Sequence, residues 1–288
     1  MSTALFRVRL PDGAVRLARG KVESGPETLL PANWTIDTVL GAPAGALEAC
    51  LAADGAGSAQ ELAILAPIEN QEVWAAGVTY QRSREARVAE SNEPSVYDRV
   101  YEAERPELFL KSVGWRVRGP GETVGIRADS TWDVPEPELT LVIAADGAIV
   151  GYVIGNDMSS RSIEGDNPLY LPQAKIYASA CALGPAIVPA SAVQAPFGIR
   201  VEILRDGATV VSESTSTDRL TRTPEDLVRY LLRAMDFPVG AFLMTGTGAV
   251  PGPEFTLRAD DLVRVSIDGL GVLENRVVVV GAPDDAVS

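Results

Sequence analysis

Three Asp-Gly pairs, Asp146-Gly147, Asp206-Gly207 and Asp268-Gly269, each separate two apolar runs rich in β-branched residues. Such a pair between apolar runs is the strongest short-range hairpin signal, because both residues tolerate the positive φ that a two-residue turn requires. The chain beyond about residue 70 is therefore expected to be rich in antiparallel or mixed β-sheet. A further hairpin is expected at the start. There Phe6, Val8 and Leu10 alternate with Arg7 and Arg9, Pro11-Asp12-Gly13 supplies a turn, and Val15 and Leu17 resume. Two helices interrupt the strands. One spans about residues 43 to 53, with Pro43 in its first turn and Gly55 as its stop. The other opens with Thr223 as cap and Pro224, Glu225 and Asp226 in its first turn, and Leu227, Leu231 and Met235 form its apolar stripe.

At 288 residues with 46% hydrophobic content, the chain can bury a sizeable core without disulfides. The expected layout is a small N-terminal α+β lobe over residues 1–69 and a main body over 70–288. A net charge of -14 repels phosphate backbones and anionic membranes, so nucleic-acid and membrane partners are not expected. Met1 to Leu10 has no apolar signal core, and no stretch approaches the roughly 20 apolar residues of a membrane helix, so a cytoplasmic location is expected. Cys50 and Cys181 lie far apart and read as reduced, buried residues.

The chain contains no histidine. A Ser-His-Asp triad, a Cys-His pair and a His-ligated zinc are therefore excluded, and any metal must be held mainly by oxygen.

Glu136 and Glu138, in Val134-Pro-Glu-Pro-Glu-Leu, are two apart and share one face of a strand, with Leu139, Leu141 and Ile143 on the other. If Asp146-Gly147 closes a two-residue turn, the returning strand places Asp157 opposite Glu136, with Cβ atoms roughly 5 Å apart. Three carboxylates then converge. Their mutual repulsion calls for a divalent cation, and hard oxygen ligands favour magnesium, calcium or manganese. A solvated strand face is the competing reading.

Several motifs together resemble the fumarylacetoacetate hydrolase family from about Gly77 to Val279. They are Gly77-Val-Thr-Tyr80, Pro106-Glu-Leu-Phe-Leu-Lys111, the Glu136/Glu138 pair, Gly155-Asn-Asp157, Gln173-Ala-Lys175, and Thr245-Gly-Thr247 followed by Leu273-Glu-Asn-Arg276. The resemblance implies an α+β fold with a β-rich mixed β-roll body, a homodimer or homotetramer, and no organic cofactor. It further implies that Glu136, Glu138 and Asp157 ligate the metal, that Lys175 faces a 2-oxo acid substrate, and that Thr245, Gly246 and Thr247 lie beside the substrate carboxylate.

Hydrolases of the family carry a His and Glu pair just after the segment matching Gly77-Val-Thr-Tyr80. Here Ser83 stands where that histidine belongs. The sequence is more similar to the branch that dehydrates 2-keto-3-deoxy sugar acids, pentonates or hexonates, to 2-oxo acid semialdehydes in sugar-acid catabolism. Two alternatives stay open: a hydrolase, decarboxylase or isomerase of an acylpyruvate-like acid, and a non-catalytic metal- or metabolite-binding protein.

Under this resemblance Glu107 is the candidate proton-moving carboxylate, with a strand salt bridge to Lys111 as the competing reading. Arg82, Ser83 and Glu85, on a charged helical stretch in a lid position, are candidate substrate contacts. Lys175 is expected after an extended approach held by Pro168 and Pro172, where it can donate to the 2-oxo oxygen.

Overall fold

The computed structural model describes residues 3–90 and 94–281. Two sheets form the body, and strands and helices are numbered along the chain. The larger sheet runs Gly25–Leu29 (β3), Val15–Lys21 (β2), Thr3–Arg9 (β1), Cys181–Pro189 (β12), Ile149–Asp157 (β10), Pro137–Ile143 (β9), Ala241–Met244 (β15), Glu72–Gly77 (β5) and Glu107–Val113 (β6), with Ala63–Leu65 (β4) also paired to β1. The smaller runs Ala208–Ser216 (β14), Gly198–Arg205 (β13), Leu262–Ile267 (β16), Gly271–Val280 (β17) and Thr123–Arg127 (β7). Asp133–Val134 (β8) and Ser159–Ser160 (β11) form a short separate ribbon. Most pairs are antiparallel, while β15 with β5 and β17 with β7 are parallel, which gives the mixed, β-rich α+β fold expected.

Seven helices decorate these sheets among the described residues: Ile36–Leu40 (α1), Ala46–Ala52 (α2), Gln81–Glu90 (α3), Pro94–Glu102 (α4), Arg161–Asp166 (α5), Leu171–Lys175 (α6) and Pro224–Leu231 (α7). None of them is long and apolar enough to cross a membrane.

The larger sheet is buried on both faces, which is why β9 and β12 read as continuous apolar runs instead of alternating ones. Leu139, Leu141 and Ile143 join Ile199, Val201, Val263 and Val277 of the smaller sheet in one core. On the opposite face Val142 and Phe242 join Leu40 and Leu47 of α1 and α2 in a second. Residues 1–69 contribute to both cores, and β1 meets β12 at Leu5 and Ile187.

Of the three Asp-Gly pairs, Asp206-Gly207 closes the two-residue turn expected, with φ of 52° and 81°. The other two pairs also close hairpins, but around longer loops. Ile267 pairs with Gly271 around a three-residue loop. At Asp146-Gly147 the loop is Ala145-Asp146-Gly147, closed by the Ala144 N–H on the Ala148 carbonyl at 2.9 Å, with Gly147 at φ 86°. The extra residue is cancelled within one turn of the strand. A bulge between Ile149 and Gly151 shifts the pairing back, so that Gly151 meets Val142 and Gly155 meets Glu138.

Other local expectations also change. Helix α2 begins at Ala46 behind Gly45 (φ 101°), so Pro43 precedes the helix and does not open it. Thr223 caps α7 as expected, its side chain accepting from the Asp226 N–H, but the helix ends at Leu231 and leaves Met235 beyond it and exposed. The approach to Lys175 is helical and not extended: Pro168 and Pro172 each open a short helical segment, because a proline's fixed φ and missing N–H suit a first turn.

Candidate metal centre and active site

The restored register carries the site. The Asp157 N–H donates to the Glu136 carbonyl at 2.9 Å and the Glu136 N–H to the Asp157 carbonyl at 3.2 Å, so these residues are a directly opposed pair. Glu136 and Glu138 share the strand face that Val142 and Ala144 extend into the second core. Glu136, Glu138 and Asp157 each offer a carboxylate oxygen, all within 4.8 Å of one another, and all three side chains are buried.

Three buried cations answer this cluster. Lys175 Nζ donates to Glu136 Oε2 at 2.8 Å, Asp157 Oδ2 at 3.0 Å and Ser159 Oγ at 2.6 Å. Arg161, at the start of α5, meets Glu136 Oε1 at 2.8 Å and lies 3.8 Å from Glu164. Lys111, only 1% exposed, sits 2.5 Å from Asp157 Oδ1 and donates to the Met158 and Lys175 carbonyls at 2.9 and 2.5 Å. Lys111 reaches that position because it is the extra residue of a bulge: Val73 pairs with Ser112 and Trp74 with Leu110. Bulges re-aim side chains in this way next to sites.

Glu138 differs from its neighbours, since no described cation forms an ion pair with it. The Gly246 N–H donates to its Oε2 at 2.5 Å. Burial, then the Asp157 and Glu136 carboxylates, push the Glu138 carboxyl well above its ordinary range, against the smaller pull of Lys175 and the Gly246 N–H. Among the described residues, Lys111, Arg161 and Lys175 thus pair with Glu136, Asp157 and Glu164, and the triad carboxylate with no cation paired to it is Glu138. A divalent cation with hard oxygen ligands fits that donor set.

The triad opens on a small cavity. Lys175, Ser83, Gly246 and Thr247 line it together with Glu136 and Asp157, and Glu107 faces in from β6. Glu107 belongs to a strand, as expected, and lies opposite Gly77; a Cβ on Gly77 would fall 2.0 Å from Glu107 Oε2, so only glycine leaves room for that carboxylate. Lys111 pairs with Asp157 and not with Glu107.

Thr245 to Thr247 follow β15 at its end, as expected, but the Gly246 N–H is turned onto Glu138. The Ser83 hydroxyl donates to the Tyr80 carbonyl at 2.8 Å while its side chain borders the cavity. Arg82 and Glu85 are not brought to it. They lie on another face of α3, where Arg82 pairs with Glu213 at 3.1 Å and Gln81 donates to Glu85 at 2.9 Å.

The reading of local spacing did not reach Lys111, Arg161 or Ser159. A lysine within the apolar run Leu108-Phe-Leu-Lys-Ser-Val113 was the available signal, because such a position is buried and a buried lysine needs an anion.

The fumarylacetoacetate (FAA) hydrolase C-terminal family model matches residues 72–278, and the chain belongs to that family. A probable 2-keto-3-deoxyxylonate dehydratase of Haloferax volcanii is 47% identical over 216 residues, 74% of each chain. The 2-dehydro-3-deoxy-D-arabinonate dehydratase of Saccharolobus solfataricus is 40% identical over 220 residues, again 74% of each. A solved structure of 2-keto-3-deoxy-D-arabinonate dehydratase complexed with magnesium and 2,5-dioxopentanoate superposes with a TM-score of 0.83 at 32% identity, covering 96% of this chain and 99% of that one.

Proposed function

We propose that this protein is a magnesium-dependent hydro-lyase that dehydrates a 2-keto-3-deoxy sugar acid to a 2-oxo acid semialdehyde. The observation that carries this is the convergence of Glu136, Glu138 and Asp157 beside Lys175, with Glu107 on the same cavity. The relatives named for pentonate dehydration and the neighbour holding magnesium with 2,5-dioxopentanoate support the same reaction.

Magnesium held by Glu136, Glu138 and Asp157 supplies the Lewis acidity that makes the C3 protons of a 2-oxo acid acidic. Glu107 takes a C3 proton, the electron pair of that bond forms the C3–C4 double bond, and the C4 hydroxyl leaves with a proton as water. Moving a proton from C5 to C3 then shifts the double bond to C4–C5 and leaves an enol, whose hydroxyl proton passes to C4 to give the C5 aldehyde of a pentonate product. Lys175 donates to the 2-oxo oxygen, and the Thr245 to Thr247 segment borders the substrate carboxylate. Ser83 contributes a hydroxyl but no base, which favours dehydration over water activation.

Incubation with magnesium and a panel of 2-keto-3-deoxy pentonates and hexonates, with chelator controls and product masses, tests this reading. The expected result is metal-dependent loss of one water. Cleavage of an acylpyruvate without dehydration of any sugar acid overturns it.

A further inference from the structure

The cavity at the triad is not the only recess beside α3. A second, more open cleft lies between α3, α4, β14 and the turn after it, and Gln81, Arg82 and Glu85 form its α3 side. Helical spacing turns these residues away from Ser83, which points to the triad, so α3 stands between the two recesses.

Two residues that line this cleft, Tyr80 and Thr215, carry buried hydroxyls. Tyr80 is 1% and Thr215 8% exposed, and among the described residues neither the Tyr80 hydroxyl nor the Thr215 hydroxyl has a hydrogen-bond partner. A buried hydroxyl left without a partner costs about 1–3 kcal/mol, a cost that a polar group of a bound ligand would remove. Gly248 keeps the approach open: a Cβ there would fall 2.6 Å from Thr215 Oγ1 and 2.6 Å from the Tyr80 ring. Burial, then the Glu138 and Asp218 carboxylates, push the Tyr80 hydroxyl far above its ordinary range, so it stays a donor.

The charged lining narrows the ligand. Arg219 is exposed at the cleft and makes no ion pair among the described residues, whereas Arg82 is already shared with Glu213 and the Val250 carbonyl. Glu85 adds an acceptor, and Asp218 and Glu213 lie close by. One unpaired guanidinium among several carboxylates suits a single negative charge and disfavours a phosphate dianion. Buried hydroxyls with Glu85 and Gln81 suit a chain of alcohols.

We propose that this cleft is a second ligand site for a small polyhydroxy monocarboxylate, whose carboxylate pairs with Arg219 and whose hydroxyls meet Tyr80, Thr215 and Glu85. The occupant bridges α3 to β14. The proposal does not depend on the dehydratase reading.

Gluconate is the probe, with acetate, glycerol and inorganic phosphate as comparisons, measured by calorimetry on the full chain. Saturable gluconate binding is expected with chelator present and in E138Q, weakened at least about tenfold by R219A and by T215V, with activity in the absence of gluconate unchanged in both variants. Acetate, glycerol and phosphate are expected to bind much more weakly. Gluconate binding that disappears in E138Q but survives T215V and R219A places it at the triad and overturns the proposal. So does the absence of saturable binding at millimolar gluconate, or phosphate binding the more tightly. R219A alters an exposed residue and T215V is nearly isosteric, so misfolding does not stand in for lost binding.

Discussion

The two recesses beside α3 handle charge in opposite ways. At the triad, Lys111 and Asp157 form an ion pair with side chains 0% and 1% exposed. At the second cleft, Arg82 and Glu213 form one with side chains 51% and 31% exposed. The first pair has no water to replace a lost partner, so each group is held at one position by the next. The second pair exchanges with solvent at little cost, and its geometry can adapt. Buried charge thus provides a rigid frame for chemistry, while exposed charge provides an adjustable rim.

The largest effect expected from breaking this contrast is at Glu138. Replacing Glu138 by Gln removes the triad carboxylate that has no cationic partner among the described residues, and both magnesium affinity and turnover are expected to fall by at least about 100-fold. Calorimetric magnesium titration alongside the dehydration assay checks this, and unchanged affinity would place the metal elsewhere.

Lys111→Met comes next. Removing one partner of a buried pair is expected to cost about 3 kcal/mol of stability. It also releases Asp157 Oδ1, and metal affinity is expected to fall about 10- to 100-fold. If Lys111 merely balances charge, the more acidic triad binds magnesium more tightly, so the direction of the change separates positioning from compensation. Lys111→Arg keeps the charge with a different shape and is expected to fall between the two.

A smaller effect concerns pH. The Glu138 carboxyl is held above its ordinary range, so a cation must displace a proton from it. Magnesium affinity is therefore expected to rise with pH by up to about tenfold per unit until Glu138 is ionised. Stability of the chelated protein runs the other way. The unfolded carboxyl ionises near pH 4.3, and the folded one only at higher pH, so the folded state holds the extra proton across that window and stability falls as pH rises through it. Replacing Glu138 by Gln is expected to flatten both profiles.

The smallest effect is at the exposed pair. A double-mutant cycle on Arg82 and Glu213 is expected to give a coupling below about 1 kcal/mol that fades further with salt. A coupling as large as that of Lys111 with Asp157 would remove the distinction between rim and frame.

Much of the triad is legible in a single stretch of chain. Glu136 and Glu138 share a face because a strand alternates every second residue, and Asp157 comes opposite through the return of one hairpin. The route differed from the expectation, since the turn is one residue longer and the bulge after Ile149 removes the difference. The pairing survives because one face must bury Leu139, Leu141 and Ile143, and a slip of one residue would place the carboxylates in that core instead.

The partners of those carboxylates lie beyond local spacing. Lys111 reaches the Met158 carbonyl across 47 positions, and Gly246 reaches Glu138 across 108. Arg82 and Ser83 are adjacent in sequence yet belong to different recesses, and only the docking of α3 decides which side each faces. Local periodicity determined the strands, the paired acids and, through the absence of histidine, an oxygen-ligated metal. Tertiary packing decided which cations meet those acids and which carboxylate is left without one, because burial and long-range contacts set the energy of a charge and neither is written in the spacing of neighbouring residues.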